Sequence, residues 1–240
     1  MKIDLENPEQ FGSLLKALVN ECVNAGIYFD LHRNLIIARP EYKEVFIESN
    51  TFWSLTVRAL LDATLSCLCR AYDQHSQSLS LRNLVDTIEA NLEIFNTANF
   101  KERLQGNPFV ESLAKTTRRP NINKLDRDKK LVSNKDPLVK KLVMWRNNII
   151  SHKRASNVVN EKNITKDYPL TRNEISELTT RATDISNSYS GLFQASTTLT
   201  RIVGQDDYLY VLKATQEKLS RFEKEIAAEI SRYQKPNSPE

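Results

Sequence analysis

The sequence predicts an all-α protein, an up-and-down helical bundle with long helices and a C-terminal helical extension. Three observations lead there. Only five glycines and eight prolines are spread over 240 residues, and the prolines sit mostly near segment ends. Runs of alternating β-branched and polar residues, the signature of a half-buried strand, are absent. Apolar residues recur instead at three- and four-residue spacings over long stretches, which is helical periodicity. A chain of this length can bury a core without disulfide or metal. The expected division is a bundle over residues 1–204, then a C-terminal helix and a disordered tail over 205–240.

Taken in order, a long first helix is expected over 9–36, with Pro8 in its first turn and Phe11, Leu14, Leu15, Leu18, Cys22 and Val23 inward. Gly26 should weaken it, and Arg39-Pro40 should end or kink it. A short helix follows over 41–48. The central helix starts after Asn50, a suitable N-cap, and turns Trp53, Val57, Leu60, Leu61, Thr64, Leu65, Leu68 and Tyr72 inward. Another helix is expected over 81–95. The basic middle segment near 113–135 is broken by turn signals, with short helices near 108–116 and 122–132 and some mobility. Thr171 to Glu174 form a capping box that opens a helix running to about Val203. The last helix spans about 208–233, with Leu209, Leu212, Gln216, Leu219, Glu223, Ile226, Ile230 and Tyr233 on an approximate heptad. Its two polar members argue against a long coiled coil.

Composition excludes several classes. The first residues lack the apolar core of a signal peptide, and Arg58, Asp62 and Arg70 interrupt the most apolar helix, which argues against a membrane span. Three cysteines, Cys22, Cys67 and Cys69, sit in apolar periodic segments and read as buried thiols of a cytoplasmic protein. Cys67 and Cys69, two apart on a helix, point about 160° from each other, so they cannot share one metal with His75. His32 has no acidic or histidine neighbours at metal spacing and reads as a surface or packing residue. The net charge of +4 is uneven: residues 113–172 hold sixteen Lys/Arg against five Asp/Glu, a local +11, while the remainder carries −7. Such a concentration suits either a polyanionic partner or a solvated connecting region.

The stretch from Asp136 to His152 holds the anomaly. Leu138, Val139, Leu142, Val143, Trp145, Ile149 and Ile150 form one broad apolar face at about 100° per residue, and Arg146 falls near its middle. His152 lies on its flank. A salt bridge to Asp62 or Asp73 of the central helix would explain the arginine, with His152 as a helix-end cation. A functional site would explain both.

Arg146-Asn-Asn-Ile-Ile-Ser-His152 resembles the Arg…His motif of the HEPN superfamily, with five residues between the pair. Phe52-Trp53, Leu60-Leu61, Arg70-Ala-Tyr-Asp73 and Leu79-Ser-Leu81 look like the second helix of its abortive-infection, AbiU2-like branch. Val143, Trp145, Asn147, His152-Lys, Pro169-Leu-Thr, Ile175 and Leu178 keep that branch's order, so the likeness covers most of residues 10–200. The resemblance implies a HEPN-like bundle that dimerises through the motif-bearing helices, with Arg146 and His152 of both protomers in one cleft. It implies a metal-independent endoribonuclease with no cofactor, in which an RNA 2′-hydroxyl attacks the adjacent phosphate and leaves a cyclic phosphate. His152 would move protons, Arg146 would stabilise the phosphorane, and Asn147 or Asn148 would orient phosphate or histidine. Lys140, Lys141, Asn148, Lys153 and Arg154 would hold the RNA backbone. The implied role is a toxin or phage-defence effector. Its partners would be RNA and a second copy, and an antitoxin protein would be compatible with them. The alternative is a non-catalytic helical dimer that binds a protein or nucleic acid.

Overall fold

Asn7 and Pro8 open the first helix: Asn7 Oδ1 accepts the Gln10 N–H at 2.9 Å, and proline occupies a position that needs no N–H donor. In the computed structural model, which describes residues 2–150, 159 and 164–233, helix α1 spans Pro8–Ala38. It stops where the Arg39-Pro40 pair begins, as expected. The helix runs unbroken through Gly26. A Cβ there would lie 2.7 Å from Thr200 Cγ2, so the glycine is the residue that lets the 198–200 segment pack directly on the helix.

After the short α2 (Lys43–Glu48), α3 runs over Asn50–Ala71. Helix α4 covers Leu81–Ala90 and passes into a 3-10 turn at Leu92–Phe95. Helices α5 (Thr97–Arg103), α6 (Val110–Leu113) and α7 (Ile122–Leu131) follow. The organising stretch begins as α8, Pro137–Trp145. Its next turn, Arg146–Ile150, is a π turn where a continuous α-helix was expected. Then come α9 (Ile164–Asp167), α10 (Arg172–Gln194) and α11 (Asp207–Tyr233). No strand occurs among the described residues.

The Thr171 capping box forms with both of its hydrogen bonds. Helix α10 stops at Gln194, about nine residues before the expected end. Ala195 takes a left-handed conformation, φ 52°. The Asn187 amide then clips the returning chain, donating to Thr198 O at 2.8 Å and accepting Thr198 N–H at 2.9 Å. The threonine-rich run that follows is a weak helix former.

The chain forms two compact units, and the division differs from the expected cut after residue 204. Unit 1 comprises Met1–Phe29 with Leu61–Thr200; unit 2 comprises Asp30–Leu60 with Arg201–Glu240. The borders fall inside α1 and α3, where a continuous helix leaves no turn residue to betray them. In unit 1, Phe11, Phe95 and Phe193 meet edge to face, with ring centroids 4.8–5.6 Å apart. Around them pack Leu15, Leu18, Leu68, Leu84, Val139 and Leu178. The fully buried Tyr72 hydroxyl donates to Leu178 O at 2.9 Å. In unit 2, Leu35, Tyr42, Val45, Phe46 and Trp53 enclose Leu212. His32 is a packing residue: its Nδ1 meets Val57 O at 2.9 Å in a buried setting.

Helix α3 is, among the described residues, the one helix whose length and hydropathy reach those of a membrane span. Its residues Leu65, Cys67, Leu68, Cys69 and Ala71 belong to the core of unit 1, and Trp53 to that of unit 2. All three cysteines are buried and free of disulfides.

Replacing a helical glycine with alanine ordinarily stabilises by about 0.5–1 kcal/mol. At position 26 the sign should reverse. Gly26→Ala is expected to lower stability by about 1–3 kcal/mol through overpacking against Thr200. Thr200→Ala in the same chain should recover part of the loss. Urea denaturation of the single and double variants measures both.

Candidate functional site

Helix α8 is held at several points before it reaches Arg146. Asp136 caps it, its Oδ1 accepting the N–H groups of Leu138 (2.9 Å) and Val139 (3.1 Å). Its Oδ2 pairs with Arg181 of α10 at 3.1 Å. One turn on, Lys141 Nζ reaches Glu174 Oε1 at 2.5 Å and Pro169 O at 3.3 Å. That same Glu174 closes the α10 capping box, accepting from Thr171 N at 2.8 Å. At the last α-turn, the Trp145 indole N–H donates to Tyr168 O at 2.7 Å. Each tie is local and polar, while Val139 and Leu142 beneath are buried. Together they set the rotation of the helix about its axis.

The helix then widens into the π turn. Such turns are rare and concentrate at functional sites. Arg146 opens it and points at the C-terminal end of α3. Its Nη1 donates to Asp73 Oδ1 at 2.8 Å and its Nη2 to Asp73 Oδ2 at 3.2 Å, a two-pronged pair that fits guanidinium to carboxylate. The Asp73 side chain is 15% exposed and that of Arg146 32% exposed. Asp73, one of the two aspartates the sequence offered, is therefore the partner.

The loop carrying Asp73 is itself fixed. Asp73 Oδ1 also accepts the His75 N–H at 3.0 Å. The Asn83 amide donates to the carbonyls of His75, Ser76 and Ser78 at 2.8–3.2 Å. Gln74 donates to Tyr72 O at 2.7 Å and Val132 O at 3.0 Å. Neither Gln74 nor Asn83 stood out in the sequence, because an amide that bonds mainly to backbone follows no spacing rule. The His75 side chain is exposed, with Nδ1 accepting Gln77 N–H at 3.3 Å.

Of the other residues singled out, Asn147 is half-buried on the same turn as Arg146. Asn148 is buried, and its amide donates to Met144 O at 2.7 Å. Lys140 is exposed, whereas Lys141 is occupied by Glu174. His152, Lys153 and Arg154 lie outside the described residues. Beneath the pair, burial pushes the Cys69 thiol up to about 12, against the opposing influence of Arg146 and Arg70. Cys69 is thus a neutral packing group. The Lys141 ammonium, with the Thr171 N–H, holds Glu174 below the usual carboxylate range.

Chemically, this arrangement is a permanently charged planar donor held in one orientation and one-third open to solvent. Guanidinium carries five N–H donors, and Asp73 takes one from each Nη. Among the described residues the other three meet no acceptor, and the exposed third of the side chain suits an anionic oxygen.

The model of the AbiU2 family of HEPN domains matches residues 8–211. The chain belongs to that family. No significant match occurs among curated proteins or among solved structures. Membership agrees with the all-α fold. The matched span ends in the first turns of α11, so all of that helix after Val211 lies beyond it.

Two measurements test this construction. In a double-mutant cycle, Asp73→Ala and Arg146→Ala should each lower stability by about 1–3 kcal/mol. The double variant should cost less than their sum by about 0.5–2 kcal/mol, read from urea midpoints at constant slope. The second concerns pH. Because the folded Glu174 pKa lies below its ordinary 4.5, its stabilisation is complete above that value and fades as the pH falls through the lowered one. The stability gap between wild type and Glu174→Gln should therefore be widest near neutrality and shrink in acid.

Proposed function

We propose that this protein is a metal-independent endoribonuclease acting in abortive infection or as a toxin, in the cytoplasm. Its site would be composite, with Arg146 and His152 from two copies of the chain lining one cleft. The observation that carries the reading is Arg146 itself: a guanidinium at a π turn, oriented by Asp73 on a pinned loop and left partly open. In the reaction, the RNA 2′-oxygen attacks its neighbouring phosphorus and the bond to the 5′-oxygen breaks, giving a 2′,3′-cyclic phosphate and a 5′-hydroxyl. His152 carries protons between these two oxygens, and Arg146 faces the charge that builds on the phosphorane. Asn147, on the same turn, orients the phosphate or the histidine. Lys140 offers a contact to the RNA backbone, as do Lys153 and Arg154, whereas Lys141 and Asn148 are already engaged within the fold.

One observation favours the competing reading, a non-catalytic dimer that binds a partner. Asp73 already neutralises Arg146, which a purely structural ion pair would also do. The experiment that separates them is incubation of purified protein with total RNA and with tRNA in excess chelator. Product ends would be identified by their resistance to phosphatase until the cyclic phosphate is opened. Wild type should cleave, and Arg146→Ala and His152→Ala should each lose about 100-fold or more while remaining folded. Sedimentation should report a dimer. Equal cleavage by all three proteins, or none by any, removes the enzymatic reading; a monomer removes the composite site.

A further inference from the structure

The apolar face of α11 outruns the core it serves. Tyr208, Leu209, Leu212 and Leu219 pack in unit 2, with Leu212 fully buried. The same face continues as Phe222, Ile226, Ile230 and Tyr233, which are 41–85% exposed. Every residue from Arg221 to Tyr233 is exposed. From Leu219 onward, the five apolar side chains fall within an arc of about 80° and a length of about 21 Å. Two turns or more of helix with no tertiary packing are marginal in water, so a stripe this narrow and continuous has a cover. It lies beyond residue 211, where the family match ends, so family membership does not account for it.

The rim of the stripe identifies the cover. Glu223 and Glu229 stand about 60° to either side of its centre, and Glu225 about 100° round. Arg221, Lys224 and Arg232 lie about 120° or more away, on the opposite face. The one nearer cation, Lys218, stands beside Leu219 at the core end, about 80° from the centre. Past Leu219 the border is therefore acidic only. A second copy fits badly: parallel pairing in register sets Glu223 against Glu223, and antiparallel pairing centred on Ile226 sets Glu223 against Glu229. An anionic lipid surface or a nucleic acid meets the same negative rim.

We propose that α11 from Leu219 to Tyr233 is the docking surface for a partner protein's amphipathic helix, one whose apolar stripe is flanked by lysine and arginine. Apolar contact along the stripe supplies the attraction, and the three glutamates select partner and orientation. The surface does not involve Arg146, and the proposal stands independently of RNA cleavage.

The probes are two synthetic three-heptad peptides with leucine at a and d, their e and g positions all lysine in one and all glutamate in the other. Binding to the full chain is followed by fluorescence anisotropy. The lysine-flanked peptide should bind at least about tenfold more tightly than the glutamate-flanked one. Ile226→Ser should weaken it by about tenfold or more, and Glu223→Lys with Glu229→Lys should reverse the preference. These side chains are exposed, so thermal unfolding of the cores should be unchanged in all variants. The proposal fails if neither peptide binds, if both bind equally, or if the double charge reversal leaves the preference intact. It fails equally if sedimentation finds self-association that Ile226→Ser abolishes, which would give the stripe to a second copy.

Discussion

The ion pair between Arg146 and Asp73 is the constraint on which the motif region depends. A guanidinium placed within an apolar helical face must be matched, because an unpaired, partly buried charge costs several kcal/mol. Matching it requires that two elements distant in sequence stop at the same place. Helix α3 must end so that Asp73 faces α8, and α8 must be rotated so that Arg146 faces α3. The first condition is met by the amides of Gln74 and Asn83, which fix the 73–80 loop. The second is met by Asp136–Arg181, Lys141–Glu174 and Trp145–Tyr168, three ties to α10 and the segment before it. Removing any one of these loosens the geometry of the pair without touching either member.

Part of the positive charge of residues 113–172 is committed within the fold. Arg118 is buried, donating to Leu113 O and, at 3.0 Å, to Gly191 O while stacking on Phe100. Lys124 pairs at 2.5 Å with Asp128, whose carboxylate also accepts from Tyr189 at 2.9 Å. Lys129 reaches Glu89 and Asp86, and Lys141 reaches Glu174. The described cations exposed on this stretch are Lys115, Arg119, Arg127, Lys130, Lys135, Lys140, Lys166 and Arg172, with Arg127 3.9 Å from Asp128. Since each phosphate contact adds about 0.7–0.9 to the salt dependence of binding, the proposed RNA contact would draw on this exposed set, not on the local +11.

That contrast also marks what could be read in advance. Helix positions followed from periodicity, and the capping box at Thr171 and the stop at Arg39-Pro40 were legible because their chemistry is local. Arg146 was legible because a charge in an apolar stripe violates a pattern. Its partner could be narrowed only to Asp62 or Asp73, since choosing between them requires knowing where α3 ends. The π turn left no trace, because the same residues suit α geometry. Gly26 could be read only from its propensity, which opposes helix; the approach of Thr200, far along the chain, gives it a packing role that the sequence does not show. The boundary between units was missed for a related reason. Helices α1 and α3 each serve two cores, and a helix that does so shows one unbroken period. Summing charge along the chain leaves out the acidic partners that reach Lys129, Lys141 and Arg146 from elsewhere.

The aspartate that neutralises Arg146 is not an obstacle to the proposed chemistry. A phosphodiester in the ground state carries one negative charge. The phosphorane formed by attack of a deprotonated 2′-oxygen carries two. A bare guanidinium would attract both strongly, and uniform attraction tightens substrate binding without lowering the barrier between them. A guanidinium balanced by a carboxylate attracts the monoanion weakly. It still presents fixed N–H donors where the additional charge appears, and it need not reorganise when that charge develops. In the proposed reaction, orientation by Asp73 would thus trade ground-state affinity for selectivity toward the transition state. On this reasoning, loss of the carboxylate frees the arginine to bind RNA while costing it the fixed geometry that the reaction uses. A structural ion pair would show only the loss of stability, with no such division between binding and turnover.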